Sequence, residues 1–200
     1  MKTEKITFTS RINFVDAKTF EKFRKGQYVN FRVRNHLTYK ANEIYTDEVR
    51  TCTAGYVTDL ETKKVEGFHY YDDLLNYIGI DDLKDKLSKT IEKTSRALLI
   101  GGKDLKSAKF SLLNLDMLVE FFKNKTPNLT LFKQHNFPWS ESNFHYDIKT
   151  DTCTIHSMFR PHTEIKQKDV LTKDDLLFAF KEIKIADGDE LYMNGQKVII

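Results

Sequence analysis

Two side chains have the types and spacing for nucleophilic catalysis. Cys52 lies in the run Val49-Arg50-Thr51-Cys52-Thr53-Ala54-Gly55-Tyr56-Val57, and His69 follows seventeen residues later. A free thiol has a pKa near ~8.5, so it supplies little thiolate at neutral pH. An adjacent imidazole removes that proton and later returns it to the leaving group. Two strand-like stretches flank the polar break Asp59-Leu60-Glu61-Thr62-Lys63-Lys64. A hairpin with a loop over Asp59 to Thr62 would set Cys52 directly opposite His69, with β-carbons about 5 Å apart. Small residues at Ala54 and Gly55 leave room beside the thiol. Backbone N–H groups near Cys52 could hold an oxyanion.

Such a pair needs a third group to fix the imidazole tautomer. Thr46, Asp47 and Glu48 lie close before Cys52, and spacing alone does not choose among them.

The elements that position these residues read as a mixture of strands and helices. Alternation predicts strands over Lys5 to Ser10, Tyr28 to Arg34, Asn128 to Phe132, Ser142 to Ile148 and Thr152 to Phe159. Arg96 to Ile100 reads as a buried strand ending in Gly101-Gly102. Asp16 caps a short helix carrying Phe20 and Phe23, which stops at Gly26. Asp72 to Thr94 reads as helix broken at Gly79. Ser111 to Lys125 carries Leu112, Leu115, Leu118, Val119 and Phe122 at helical spacing. Thr172-Lys173-Asp174-Asp175 resembles a capping box that opens a helix over Leu176, Leu177, Phe180 and Ile183. Asn194-Gly195 turns a final hairpin. The expectation is one α+β (mixed α/β) domain over residues 1–200, with β-sandwich-like mixed sheets flanked by helices.

Composition narrows the function classes. Two hundred residues with 40% hydrophobic and 12% aromatic content can bury a substantial core. The net charge of +3 is mixed in sign along the chain, and no basic cluster argues for nucleic acid. No apolar run reaches the length of a membrane span. Two cysteines are too few for a disulfide framework, and no apolar signal opens the chain. A cytoplasmic location with free thiols is therefore expected, or secretion without a cleaved signal peptide.

Other candidate sites are weaker. His145, Cys153 and His156 fall on adjacent expected strands, with His162 beyond, but none has the spacing of a metal set. Gly101-Gly102-Lys103 lacks the spacing of a phosphate loop and reads as a tight turn. Phe137-Pro138-Trp139 reads as an aromatic packing loop, and an exposed Trp139 would be a partner contact.

The chain resembles bacterial chemoreceptor glutamine deamidases of the CheD type. The resemblance rests on Thr46, Cys52 and His69, a Thr six residues before the Cys and a His seventeen after it. It extends to Ala97-Leu98-Leu99-Ile100-Gly101-Gly102, to Leu113-Asn114 with the helix to Phe122, and to Tyr146 through Thr152, so that about residues 40–160 align in order. Arg50-Thr51 stand where the family usually has small residues. The resemblance implies Cys52 as nucleophile, His69 as base and Thr46 as the residue that orients it. The reaction it implies is hydrolysis of a protein glutamine side chain through a Cys thioester, with no metal or cofactor. The wider superfamily includes toxins such as cytotoxic necrotizing factor, and this extends what the resemblance implies to a bacterial effector acting on a host protein. The expected partner is a protein substrate bearing a target glutamine, not nucleic acid. Two alternatives keep the same residues: a thiol protease or transglutaminase, and a catalytically silent binding module.

Overall fold

The computed structural model describes residues 10–29, 38–59, 61–71, 79–91, 95–103, 109–126, 128–137, 139–161 and 164–200. Its strands are β1 (Arg11–Phe14), β2 (Gln27–Tyr28), β3 (Thr38–Ala41), β4 (Glu43–Val49), β5 (Thr53–Asp59), β6 (Lys64–Tyr70), β7 (Arg96–Gly101), β8 (Asn128–Gln134), β9 (Glu141–Asp147), β10 (Thr152–Phe159), β11 (Lys168–Asp169), β12 (Phe180–Lys184), β13 (Glu190–Met193) and β14 (Gln196–Val198). The helices are α1 (Ala17–Phe20), α2 (Ile80–Ser88), α3 (Lys109–Lys123) and α4 (Lys173–Ala179), and a single 3-10 turn, Glu21–Phe23, extends α1.

The strands form two mixed sheets. The first runs β14-β13-β1-β10-β9-β4-β2, with β11 on β10, and the second runs β12-β8-β7-β5-β6-β3. Their inner faces share one apolar cluster, to which the first sheet contributes Ile12, Phe14, Ile44, Phe144 and Ile155 and the second Ala54, Tyr56, Val65, Leu98, Ile100 and Phe132. The outer face of the second sheet is covered by α2 and α3: Leu83, Leu87, Leu115, Leu118 and Phe122 pack on Val57, Phe68, Leu99 and Leu131. Each such side chain contributes about 1.5–3 kcal/mol on full burial. α1 and its 3-10 turn lie on the outer face of the first sheet, where Phe20 meets His156 and Phe23 meets His145. The expected α+β class, with two mixed sheets flanked by helices, is the observed one.

Local signals account for most of the boundaries. Asp16 Oδ1 accepts the Thr19 N–H at 2.7 Å and opens α1. Thr172 and Asp175 form the expected capping box of α4. Asn194 and Gly195 both have positive φ, as the turn between β13 and β14 requires. The α4 pattern was expected to run through Phe180 and Ile183. Instead the helix stops at Ala179, and Phe180–Lys184 is β12, paired antiparallel with β8. Tertiary pairing there overrides a helical spacing of apolar residues. β1, β3, β4 and β11 are strands beyond those expected from the sequence. The first expected strand lies outside the described residues apart from Ser10, as do most of the second and residues 72–78 of the first expected helical piece.

Among the described residues, no helix is long and apolar enough to cross a membrane.

Candidate active site

The β5–β6 hairpin forms, but its register corrects the sequence expectation. Ala54, not Cys52, lies opposite His69, and the turn falls between Asp59 and Lys64. The slip is two residues, so the face is unchanged, because side chains alternate with a period of two. Cys52 sits in a bend just before β5 and still belongs to the inner, inter-sheet layer. It is diagonal to His69 rather than directly opposed, a relation that separates Cα positions by about 7–8 Å in a regular ladder.

His69 is buried on the inner face of β6, where β4 of the other sheet approaches closely. Gly67 makes this approach possible, since a Cβ there would lie 2.4 Å from Ile44 Cδ1 and 3.2 Å from Val29 Cγ2. Thr46, also inward on β4, therefore reaches the imidazole, with Oγ1 2.7 Å from His69 Nδ1. The same hydroxyl donates to the Val29 carbonyl at 2.6 Å. A hydroxyl has one proton. With that proton on Val29, Thr46 Oγ1 accepts from His69, so Nδ1 carries hydrogen and Nε2 of the neutral ring holds the lone pair. Burial drives the His69 pKa down to about 3, which keeps the ring neutral at physiological pH.

Of the three orienting candidates, Thr46 alone makes this contact. Asp47 faces the other side of β4, beside Arg24 at 3.6 Å, and burial raises its pKa. Glu48 is in the left-handed region with φ 59°, at a β-bulge where the β4–β9 register shifts between Thr46 and Val49. Its N–H donates to Asn143 Oδ1 at 2.7 Å, and Gln134 Nε2 donates to Val49 O at 3.0 Å. Those two side chains pin the bulge that leads into the Cys52 bend.

Burial pushes the Cys52 thiol up to about 12, against opposing contributions from the backbone N–H groups of Arg50 and Thr51 and from the charge of Lys103. The resting pair is thus thiol and neutral imidazole, and the proton must move as attack occurs. Gly101, paired with Thr53, has φ 139°, and a Cβ on it would come within 2.3 Å of Cys52 O. The double glycine is therefore more than a tight turn: it lets the end of β7 close against the Cys52 bend. Beyond it, Lys103 is buried, and its Nζ donates to Ser140 O at 2.5 Å. Arg50 pairs with Glu141 at 2.7 Å in the same region. Trp139 is 54% exposed, with the Arg160 guanidinium over its ring at 5.0 Å. Phe137 is buried as a packing residue, and Pro138 lies outside the described residues.

Sequence reasoning missed Lys103, Asn143, Gln134 and the Val29 carbonyl as parts of this site. No local pattern marks them, since their roles come from pairings distant in sequence.

The alternative metal set is dispersed. Cys153 lies in the inter-sheet core, whereas His145 and His156 face the other side of the first sheet. His145 Nε2 meets Glu43 at 2.8 Å, and His156 bridges Asn143 at 3.1 Å and Asp169 at 3.1 Å. His162 lies outside the described residues. Among the described residues, no three His, Cys, Asp or Glu side chains cluster as metal ligands would.

No protein-family model matches this chain, and no curated protein is significantly similar to it.

Proposed function

We propose that the protein is a cysteine-dependent protein-glutamine deamidase, a hydrolase resembling the CheD type. The observation that carries this reading is the Thr46–His69 contact, at the offsets the family resemblance names and with the tautomer that puts the ring's lone pair on Nε2, the form a base needs. Cys52 Sγ attacks the carboxamide carbon of a substrate glutamine while His69 Nε2 takes the thiol proton. The tetrahedral intermediate collapses to a thioester, and the imidazolium returns the proton to the departing ammonia. Water then attacks the thioester with His69 as base, releasing glutamate and regenerating the thiol. One carboxamide and one water become one carboxylate and one ammonium. Arg50-Thr51 stand just before the nucleophile where the family usually has small residues, and this supports a substrate surface of its own, such as that of an effector acting on a host protein.

Mass spectrometry of candidate substrate proteins tests the reading. Glutamine-to-glutamate conversion should appear with the native protein and fall at least about 10³-fold in Cys52→Ala. Equal conversion in that variant would refute it. Incorporation of an added primary amine would reassign the same residues to transglutamination.

A further inference from the structure

We propose that Lys103 is a charge-stabilising residue of the Cys52 site, its buried ammonium favouring the negative charge that develops on Sγ as the proton leaves for His69. This deepens the reading of Cys52 as a nucleophile and rests on it.

Lys103 is only 1% exposed, one of the largest fully buried side chains in the protein. Its main-chain N–H donates to Ser111 Oγ on α3 at 3.0 Å, which anchors the residue. Its Nζ ends on a carbonyl, that of Ser140, and no ion pair holds it among the described residues. A carbonyl offsets only part of the cost of a buried ammonium. Most buried lysines that serve structure alone have a carboxylate partner.

The place of Lys103 explains the arrangement. It stands two residues beyond Gly101, whose pairing with Thr53 and contact with Cys52 O bring this chain segment against the nucleophile. Among the described residues, three ionisable groups act on the ammonium through their charge. Arg50 opposes its charge, while Glu141 and Cys52 favour it. Glu141 is engaged by Arg50 at 2.7 Å. Cys52 is the remaining potential anion; Lys103 is the buried cation that favours its thiolate, and Arg50, already held by Glu141, also feels its charge. Burial lowers the Lys103 pKa to about 8, so the charge is present at neutral pH and disappears above that value. In the step itself the S–H bond breaks, the proton goes to His69 Nε2, and Lys103 keeps its own protons.

The test is the rate of iodoacetamide alkylation of Cys52, read by mass spectrometry between pH 6 and 10, in the native protein and in Lys103→Gln and Lys103→Met. Lys103→Gln keeps a donor for Ser140 O without the charge. Both variants should label Cys52 at least about tenfold more slowly at pH 7, as expected when a thiol loses a neighbouring cation. A residue that merely ties β7 to Ser140 would change stability and leave the alkylation profile alone. Native-like rates in a folded Lys103→Gln would overturn the proposal. The native protein supplies a check that needs no variant: its Cys52 rate should flatten as pH rises through about 8, and an uninterrupted log-linear rise to pH 10 would also overturn it. Alkylation requires no substrate, so failure to find deamidation leaves this test intact. Conversely, deamidation with an unchanged alkylation profile in Lys103→Gln removes Lys103 and keeps the deamidase reading.

Discussion

The inter-sheet layer has a buried cation at each end of β5, and the two are treated differently. At the far end, Arg96 pairs in register with Thr58 and is met by two carboxylates, Asp189 at 2.9 Å and Asp151 at 3.4 Å. Those carboxylates have further donors: Thr130 on Asp189 at 2.6 Å, and Tyr146 and Ser10 on Asp151 at 3.0 and 2.9 Å. At the near end, Lys103 reaches only a carbonyl among the described residues, and the thiol and imidazole of the candidate site rest neutral. One end satisfies its charges within the fold. The other holds groups whose charges form only when a proton moves. A buried polar cluster signals chemistry when its charge is incompletely matched at rest, and structure when it is matched.

The largest expected effect lies at the matched end. Arg96→Met leaves Asp189 and Asp151 buried without their cation and should cost about 3–5 kcal/mol in urea unfolding. It should leave Cys52 alkylation in the remaining folded protein unchanged. A fall in alkylation as large as that in a His69 variant would erase the distinction between the two ends.

The near end should instead announce itself through pH. His69 is neutral in the fold, with a pKa near 3, and ionises near 6.5 when unfolded. The unfolded state therefore binds more protons below pH 6.5, and the stability contributed by this site is full above that value and lost as pH falls toward 3. The loss is on the order of 1.4 kcal/mol per pH unit across that window. Chemical denaturation of the native protein and His69→Gln at pH 7 and pH 5 measures it. The variant should show a shallower acid dependence, and parallel curves would contradict the assigned neutral state.

A smaller effect is expected at Thr46. Thr46→Val preserves shape but removes the acceptor from His69 Nδ1–H. The buried donor left behind costs about 1–3 kcal/mol. If the contact serves orientation, that energy should appear as a loss of about ten- to a hundredfold in Cys52 reactivity. Full reactivity in a destabilised Thr46→Val would make the contact structural only.

How far these features could be read from the chain depends on the range of the interaction that creates them. The hairpin, the α1 cap, the α4 capping box and the Asn194-Gly195 turn are local, and each lies where the residues indicated. The Cys52–His69 register slipped by two, yet both residues stayed on one face, because alternation is insensitive to an even shift. β4 was hidden because one of its inward positions is Thr46, a polar residue that breaks the apolar alternation for the sake of its contact with His69. β12 was hidden because its partner, β8, is some fifty residues away. The burial of Lys103 was invisible for the same reason: the groups around it arrive from β5, α3 and the start of β9. Histidines 145 and 156 looked like neighbours of Cys153 in sequence, but strand parity sends both to the face of the sheet opposite Cys153.

The most direct measurement compares the two cysteines in one native protein. Cys52 is 5% exposed at a bend, and Cys153 is fully buried in mid-strand. Iodoacetamide labelling at pH 7, resolved by peptide mass spectrometry, should modify Cys52 at least about tenfold faster than Cys153, and a folded His69→Gln should abolish most of that advantage. A Cys52 that labels no faster than Cys153, or that keeps its rate without His69, would contradict its role as an activated nucleophile and leave the protein a silent binding module on the same fold.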